Sequence, residues 1–316
     1  MIRQDKAAGR EEIHTLSNSS PISLQGIFPP VPTPFREDST FDPVGFSQNF
    51  HRWNQEPVNG YVVLGSNGEF PYVNEAERVE IVRVARREIS SDRLLIAGSG
   101  MDSTVETIRM TQALADVGAD VAIVITPNYY KSKMTGTALE AHYVQVAAAS
   151  PIPILIYNMP AYAGVDMPAD AIIRAAQHPN IIGMKESGPK MGKLGQIMRA
   201  TTDFQVLTGS ASGFLAALAM GAVGGVMALA NFAANQLAAI RDKLLVGDLE
   251  GAQEIQLRMI PPNLAVTGTY GIAGLKAALD MLDYCGGPVR SPLQPLGEAE
   301  MVDLRKILVE SDLLAK

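Results

Sequence analysis

The stretches VAIVIT at residues 121–126 and ILIY at residues 154–157 decide the fold. Neither alternates between apolar and polar residues, so both faces of each strand are expected to be buried, as in a parallel sheet covered by helices. Six more apolar runs follow the same pattern, and each is separated from the next by about 30 residues, the length of a strand–helix unit. They lie at residues 26–33, 60–65, 94–98, 182–185, 204–208 and 224–229.

Eight such units in series predict a (β/α)8 barrel with additional C-terminal helices. An open doubly wound sheet is the alternative, but the sequence contains neither GxGxxG nor GxxxxGK[ST]. We predict a flexible polar extension over residues 1–24, the barrel over 25–245 and a helical region over 246–316. The predicted helices lie at residues 74–88, 103–117, 169–177, 236–246, 249–259, 271–282 and 298–311.

The composition excludes several classes of function. Charged residues make up 19% and hydrophobic residues 47%, and the formal net charge is −7. An acidic chain without a Lys/Arg cluster is not expected to bind nucleic acid. Cys285 is the single cysteine and the four histidines have no ligand spacing, so we predict no metal site and a reducing compartment. We therefore expect a cytoplasmic protein, with the mitochondrial matrix as the alternative.

Residues 213–230 form an uncharged stretch that a hydropathy window would mark as a membrane span. Gly221, Gly224 and Gly225 interrupt it. We interpret it as a buried helix, a glycine turn and a buried strand, and we expect no membrane partner.

Catalytic groups of a parallel barrel lie at the carboxyl ends of its strands. Lys185 ends the run IIGMK, where burial disfavours a charged amine and a neutral amine can attack a ketone. Tyr157 ends the neighbouring strand and could move protons. Ser66 and Asn67 lie in the glycine-flanked turn GSNGE, which could hold a carboxylate.

Each of these residues also has an ordinary structural explanation. Lys185 could reach solvent or pair with Glu186, Tyr157 could pack in the core, and GSNGE could be a simple turn. We read Glu69 and Glu186 as structural, because they flank the expected site.

Four motifs in order make a resemblance specific: GSNGE at 65–69, TPNYY at 126–130, YNMP at 157–160 and GMKES at 183–187. The chain from about residue 26 onward resembles the dihydrodipicolinate synthase/N-acetylneuraminate lyase family. The resemblance implies a class I aldolase or dehydratase acting on pyruvate or another 2-oxo acid. It also implies a homotetramer built as a dimer of dimers.

The resemblance also implies roles for individual residues. Lys185 would form the Schiff base, Tyr157 would be the acid/base group and Ser66 would link tyrosines into a proton relay. Tyr129 would enter the neighbouring site across a subunit interface, and Asn67 would hold the carboxylate. Ser187, Gly209 and Ser210 are further candidates for binding the far carboxylate or the hydroxyl, although the serines could instead satisfy backbone groups. The lysine imine would make a cofactor unnecessary.

At two places the sequence differs from the pattern of family members, and both differences affect which substrate we expect. Tyr162 stands where the family's dihydrodipicolinate synthases have an arginine, and TGSASGF at 208–214 is small and uncharged. With GIAGLKAALD and YCGGPVRSPLQPL, these segments are most similar to 4-hydroxy-2-oxoglutarate aldolases, which release pyruvate and glyoxylate. A 2-keto-3-deoxy sugar acid aldolase, a dihydrodipicolinate synthase-like enzyme or dehydratase, and a non-catalytic ligand-binding relative stay as alternatives.

Overall fold

A computed structural model describes residues 22–315 and shows eight parallel strands in one sheet. Because each strand pairs with its sequence neighbours, the sheet curls into a barrel. The strands are β1 Gly26–Phe28, β2 Gly60–Val63, β3 Leu94–Gly98, β4 Val121–Ile125, β5 Ile154–Asn158, β6 Ile181–Glu186, β7 Gln205–Thr208 and β8 Gly224–Val226.

The barrel closes at two places. β8 pairs with β1, and Gly26 lies opposite Gly224. Between β1 and β2 the contact is irregular, with a parallel bridge from Pro30 to Val62 and a hydrogen bond from the Val31 N–H to the Val62 carbonyl (2.9 Å). Prolines cannot donate to a ladder, so the first strand is shorter than the predicted run of residues 26–33. The predicted (β/α)8 barrel with C-terminal helices is confirmed.

Alternation along each strand separates the barrel interior from the layer under the helices. On β6, Met184 packs outward with the helices, and the next residue, Lys185, therefore faces the interior. On β5, Ile156 packs outward while Leu155 and Tyr157 belong to the interior cluster. This alternation brings the lysine and the tyrosine to the same side of the sheet.

Helices follow most of the strands and cover the sheet. Asn74 caps the second of them, because its side chain accepts from the Glu77 N–H (3.0 Å) while Glu77 accepts from the Asn74 N–H (3.0 Å). The helices are α1 Pro43–Trp53, α2 Glu75–Glu88, α3 Thr104–Asp116, α4 Gly136–Ala149, α5 Pro160–Ala163, α6 Ala169–Ala175, α7 Met191–Ala200, α8 Phe214–Ala219, α9 Ala234–Leu245, α10 Leu249–Arg258, α11 Ile260–Leu264, α12 Gly271–Met281 and α13 Glu298–Glu310.

The uncharged stretch forms α8, a turn at Gly221 and strand β8, as the glycine spacing predicts. Phe214 and Val226 within it are fully buried. Over residues 22–315, no helix is long and apolar enough to span a membrane.

Most of the predicted N-terminal extension lies outside the described residues, which begin at 22. Leu24 is fully buried, and Gln205 of β7 holds this segment by accepting from the Leu24 N–H (2.7 Å) and donating to the Ile22 carbonyl (2.8 Å). Residues 22–24 therefore pack on the barrel. At the other end of the predicted barrel, α9 ends at Leu245 and α10 begins at Leu249.

Candidate active site

Lys185 and Tyr157 are register partners on β6 and β5. The Lys185 Nζ lies 4.3 Å from the centroid of the Tyr157 ring, and the two residues are 6% and 4% exposed. A lysine ammonium over an aromatic face is a favourable contact. It also leaves the amine beside a phenol that can exchange protons.

Ser66 contacts the same tyrosine at its hydroxyl. Its Oγ is 3.2 Å from the Tyr157 hydroxyl, and either atom could donate. Ser66 begins the three-residue 3-10 turn Ser66–Gly68 that follows β2. Asn67 in this turn donates from Nδ2 to the Pro30 carbonyl (3.4 Å), so its amide is already in part engaged. Three candidate residues, from the turn after β2, from β5 and from β6, thus form one continuous chain of contacts.

Ser187 and Gly209 lie together where β6 and β7 end. A Cβ built on Gly209 would lie 1.9 Å from the Ser187 Oγ, so only glycine fits there without displacement. The Ser187 Oγ is buried and has no hydrogen-bond partner among the described residues. A buried hydroxyl without a partner is available to a ligand. Ser210 follows, and its N–H donates to the Thr208 Oγ1 (3.3 Å).

Tyr129 is not brought to the lysine within this chain. It is 75% exposed, and its ring meets Tyr130 edge-on with centroids 5.0 Å apart. Asp102 fixes the backbone of this loop, because its carboxylate accepts from the N–H groups of Asn128 (2.7 Å) and Tyr129 (2.9 Å). The ring is therefore presented outward on an anchored loop.

A network of charged side chains supports the ends of β5 and β6. Asn158 donates from Nδ2 to both oxygens of Glu186 (2.8 and 3.1 Å) and to Asp166 (3.0 Å). Lys193 lies 3.1 Å from Glu186 and 2.5 Å from Asp166. Glu186 is thus engaged in structure, in line with our expectation, rather than directed at Lys185.

Asp166 carries the clearest electrostatic effect in this network. Burial works to raise its pKa, but hydrogen bonds from Lys193, Lys190 and Asn158 outweigh burial and lower the pKa of Asp166 to about 2. The carboxylate is therefore ionised at neutral pH. It fixes the segment that follows Tyr157.

A cavity of about 630 Å³ opens beside the site. Of our eight candidate residues, all within the described part of the chain, Ser66 alone lines it. Lys185 and Tyr157 do not line the cavity. The candidate site is therefore defined by the contacts of Lys185, and the cavity adjoins it at Ser66. Thr126 and Tyr162 are also in the lining, and the buried Thr126 Oγ1 has no partner among the described residues.

Sequence reasoning missed Lys276, which is 1% exposed on α12 and pairs with Glu69 beside the Ser66 turn. Its signal was available, because a lysine on the apolar face of GIAGLKAALD is unusual unless it is paired. Between residues 22 and 315, no three His, Cys, Asp or Glu side chains are grouped so that they could hold a metal ion.

The barrel fold and the similarity to known proteins together show that the chain is a barrel enzyme of the lyase kind. The model of the dihydrodipicolinate synthetase family matches residues 23–311. The chain belongs to this family.

Three similar proteins illustrate the relationship. A 4-hydroxy-tetrahydrodipicolinate synthase of Methanothrix thermoacetophila is 33% identical over 293 residues, covering 92% of this chain and 98% of that protein. The structure of a dihydrodipicolinate synthase from Bacillus anthracis has a TM-score of 0.88 at 26% identity and covers 91% of this chain and 98% of its own. The structure of YagE, an E. coli prophage protein in complex with pyruvate, has a TM-score of 0.85 at 27% identity, covering 92% and 99%.

Proposed function

We propose that this chain is a class I aldolase that cleaves 4-hydroxy-2-oxoglutarate into pyruvate and glyoxylate through an imine on Lys185. The observation that carries the proposal is the burial of the Lys185 amine against Tyr157, whose hydroxyl meets Ser66. The similar YagE structure, which is in complex with pyruvate, supports a 2-oxo acid as the ligand.

In the first stage, the Lys185 amine attacks C2 of the 2-oxo acid and forms a carbinolamine. Tyr157 donates a proton to the departing hydroxyl, and water leaves as the imine forms. The contact of Ser66 with the phenol supports its role in returning a proton to Tyr157. The protonated imine is then an electron sink beside C3.

In the second stage, a base removes the proton of the C4 hydroxyl. The electrons of the C3–C4 bond move into the iminium and glyoxylate leaves. The resulting enamine is protonated at C3, and water hydrolyses the imine to free pyruvate and Lys185. The lysine supplies the electron sink, so the proposal needs neither a metal nor an organic cofactor.

The choice of substrate depends on two segments. Tyr162 brings no positive charge to the loop after β5, and residues 208–214 bring no charge to the end of β7. These features favour a short second product over a long sugar chain. The Ser187 hydroxyl next to Gly209 has no hydrogen-bond partner within residues 22–315, which supports binding of the far carboxylate or the C4 hydroxyl there, with Ser210 as a neighbouring candidate. Asn67 would hold the carboxylate next to the imine.

We also propose that Tyr129 completes the site of a neighbouring subunit in a homotetramer. Its exposure and its anchored loop support this assignment. A cytoplasmic location stays a prediction.

The test is borohydride trapping with pyruvate, followed by mass measurement of the intact protein and mapping of the adduct. We expect one reduced pyruvate on Lys185 and none in Lys185→Ala. Lys193→Ala is the control, since that lysine is also part-buried but pairs with Glu186 and Asp166. An adduct elsewhere, or none, contradicts the imine mechanism.

The second candidate function is 4-hydroxy-tetrahydrodipicolinate synthesis, which the name of the Methanothrix relative favours. Both reactions would pass through a pyruvate imine, so trapping does not separate them. A product assay separates them. The protein is given a panel of 4-hydroxy-2-oxo acids, the release of glyoxylate and of glyceraldehyde is measured, and 4-hydroxy-tetrahydrodipicolinate synthesis is measured in parallel. Glyoxylate release as the fastest reaction supports the proposal, and any other ranking replaces its substrate.

A further inference from the structure

Glu69 follows the Ser66 turn, by which we mean Ser66–Gly68, and it adopts an unfavourable backbone conformation. Its φ of 54° and ψ of 35° lie in the left-handed region, although it is not a glycine. The Glu69 N–H donates to the Ser66 carbonyl (3.1 Å), so this conformation closes the turn that carries Ser66. A strained residue of this kind persists only where its surroundings hold it.

Two groups from the C-terminal region hold the Glu69 carboxylate. The Lys276 Nζ on α12 lies 2.6 Å from the Glu69 Oε1, and the backbone N–H of Arg290 donates to the Glu69 Oε2 (2.8 Å). Lys276 also donates to the Pro288 carbonyl (2.8 Å). Both Glu69 and Lys276 are 1% exposed, so water does not compete for this pair.

An aromatic ring strengthens the arrangement. The Lys276 Nζ lies 4.5 Å from the centroid of the Phe35 ring, and the Arg290 Cζ lies 4.0 Å from it. Phe35 follows β1, whereas Lys276 and Arg290 belong to the region after the barrel. The ion pair thus joins the start of the barrel, the Ser66 turn and the C-terminal helices.

The contacts continue from the ion pair to the proposed nucleophile. Glu69 closes the turn through the Ser66 carbonyl, the Ser66 Oγ meets the Tyr157 hydroxyl, and the Tyr157 ring meets the Lys185 Nζ. We propose that Lys276 is a positioning residue that acts through Glu69 to place the Ser66 hydroxyl against Tyr157. This inference rests on the proposed function, because it assigns Lys276 to the same imine chemistry.

Energetics favour a positioning role over a purely stabilising one. Bringing two charges out of water costs about as much as their attraction returns, so a buried ion pair is weak evidence for stability. What the pair provides is a fixed geometry, since Oε2 accepts a hydrogen bond from the backbone N–H of Arg290 and the Lys276 ammonium lies 2.6 Å from Oε1 as an ion pair. A displacement of the Ser66 hydroxyl by about 1 Å would be enough to slow proton transfer by roughly 10²-fold.

The experiment measures the rate of borohydride-trapped imine formation with pyruvate in a mutant cycle. We compare Lys276→Met in the wild-type background and in Ser66→Ala. If Lys276 acts through Ser66, Lys276→Met should lower the rate of imine formation by about 10- to 100-fold in the wild-type background and by less than about twofold in Ser66→Ala. A role in overall stability would give the same cost in both backgrounds.

Because Lys276→Met leaves the Glu69 carboxylate buried and without a cation, that variant could fail to fold. The double variant Glu69→Gln/Lys276→Met removes both charges at nearly constant volume, and it serves as the second test. We expect it to fold and still to trap imine about tenfold more slowly than wild type. Ile172→Ala, a buried change on α6, which packs on α4 and α7, is the control for destabilisation and should leave the rate unchanged.

The positioning role would be overturned if Lys276→Met lowered the rate of imine formation equally in the two backgrounds, or if the double variant folded and kept the wild-type rate. An absence of any adduct in the wild type is a different outcome. It contradicts the proposed function itself and is seen before the variants are compared.

Discussion

The Lys185 Nζ lies 4.3 Å from the centre of the Tyr157 ring, at paired positions of adjacent parallel strands. In a parallel sheet such partners project from the same face, so the amine and the phenol are held by the backbone of the barrel rather than by a loop. The position of a loop varies more than that of a paired strand. The amine and the phenol of the predicted chemistry therefore both lie on paired strands.

Replacing Tyr157 tests the proton-transfer role. Tyr157→Phe keeps the ring over Lys185 and removes the hydroxyl that meets Ser66. We expect kcat to fall by roughly 10²–10⁴-fold, the usual contribution of a general acid/base group. Tyr61→Phe is the matched control, because that buried tyrosine donates to the Asn54 Oδ1 (2.8 Å) in the layer under the helices. Near-normal turnover in Tyr157→Phe would remove Tyr157 from the relay.

Mixing two inactive variants tests whether Tyr129 serves a neighbouring subunit. Lys185→Ala lacks the nucleophile and Tyr129→Phe lacks the proposed shared hydroxyl, so each alone should be slow. When the two are unfolded and refolded together, mixed assemblies should contain some sites with both groups, and turnover should rise above that of either variant. Tyr130→Phe mixed with Lys185→Ala gives the reference level. Failure of the Tyr129→Phe mixture to exceed both parents would contradict the sharing.

The close approach of β6 and β7 predicts that Gly209 is intolerant of a side chain. The Cβ of Gly209→Ala would lie 1.9 Å from the Ser187 Oγ and 3.0 Å from the Ser187 Cα, so the strand ends must move apart. We expect the free energy of unfolding to fall by about 1–3 kcal/mol and turnover to fall with it. The urea unfolding midpoint and kcat measure the two effects.

Gly213 provides the control for that substitution. A Cβ there would meet nothing within 4 Å, and its φ of −115° suits alanine. Gly213→Ala should leave the unfolding free energy unchanged or raise it by up to about 1 kcal/mol. Equal losses in the two variants would show that steric contact with Ser187 is not the cause.

The network behind β5 and β6 predicts a dependence of stability on acid pH. Because the pKa of Asp166 is lowered to about 2 from 3.8, its contribution is present above about pH 4 and disappears as the pH falls through about 2. The Asp166 side chain is 30% exposed, so screening reduces the benefit to about 1 kcal/mol.

Asp166→Asn should therefore lower the unfolding free energy at pH 7, and the gap from wild type should narrow as the pH falls from about 4 to 2. Denaturant midpoints measured across this range test the prediction. Asp170→Asn is the control, since its pair with Arg174 is exposed and contributes little. A gap that does not depend on pH would show that the hydrogen bonds, rather than the charge, make the difference.

Much of the fold could be predicted because its signals are local. Runs such as VAIVI at residues 121–125 contain no polar residue and therefore identify parallel strands without reference to the rest of the chain. The boundaries were less predictable where pairing partners decide them. β1 ends at Phe28 and β8 at Val226, because the residues after them leave the regular ladder.

The candidate site was predictable in part for the same reason. Lys185 and Tyr157 were found from their places at strand ends, and strand order alone makes them neighbours. Nothing local indicates that Ser187 and Gly209 touch, or that Glu186 is engaged by Asn158 and Lys193, since these contacts join different strand–helix units.

The sequence by itself determined the barrel, the interior position of Lys185 and the family, because apolar runs and short motifs are properties of contiguous residues. The tertiary structure alone decided the pairing of Glu69 with Lys276. The two residues are 276 − 69 = 207 positions apart in the sequence, yet the Lys276 Nζ lies 2.6 Å from the Glu69 Oε1. Burial explains the difference. A buried charge must find a partner wherever the fold brings one within reach, and that partner leaves no trace in the residues adjacent to it.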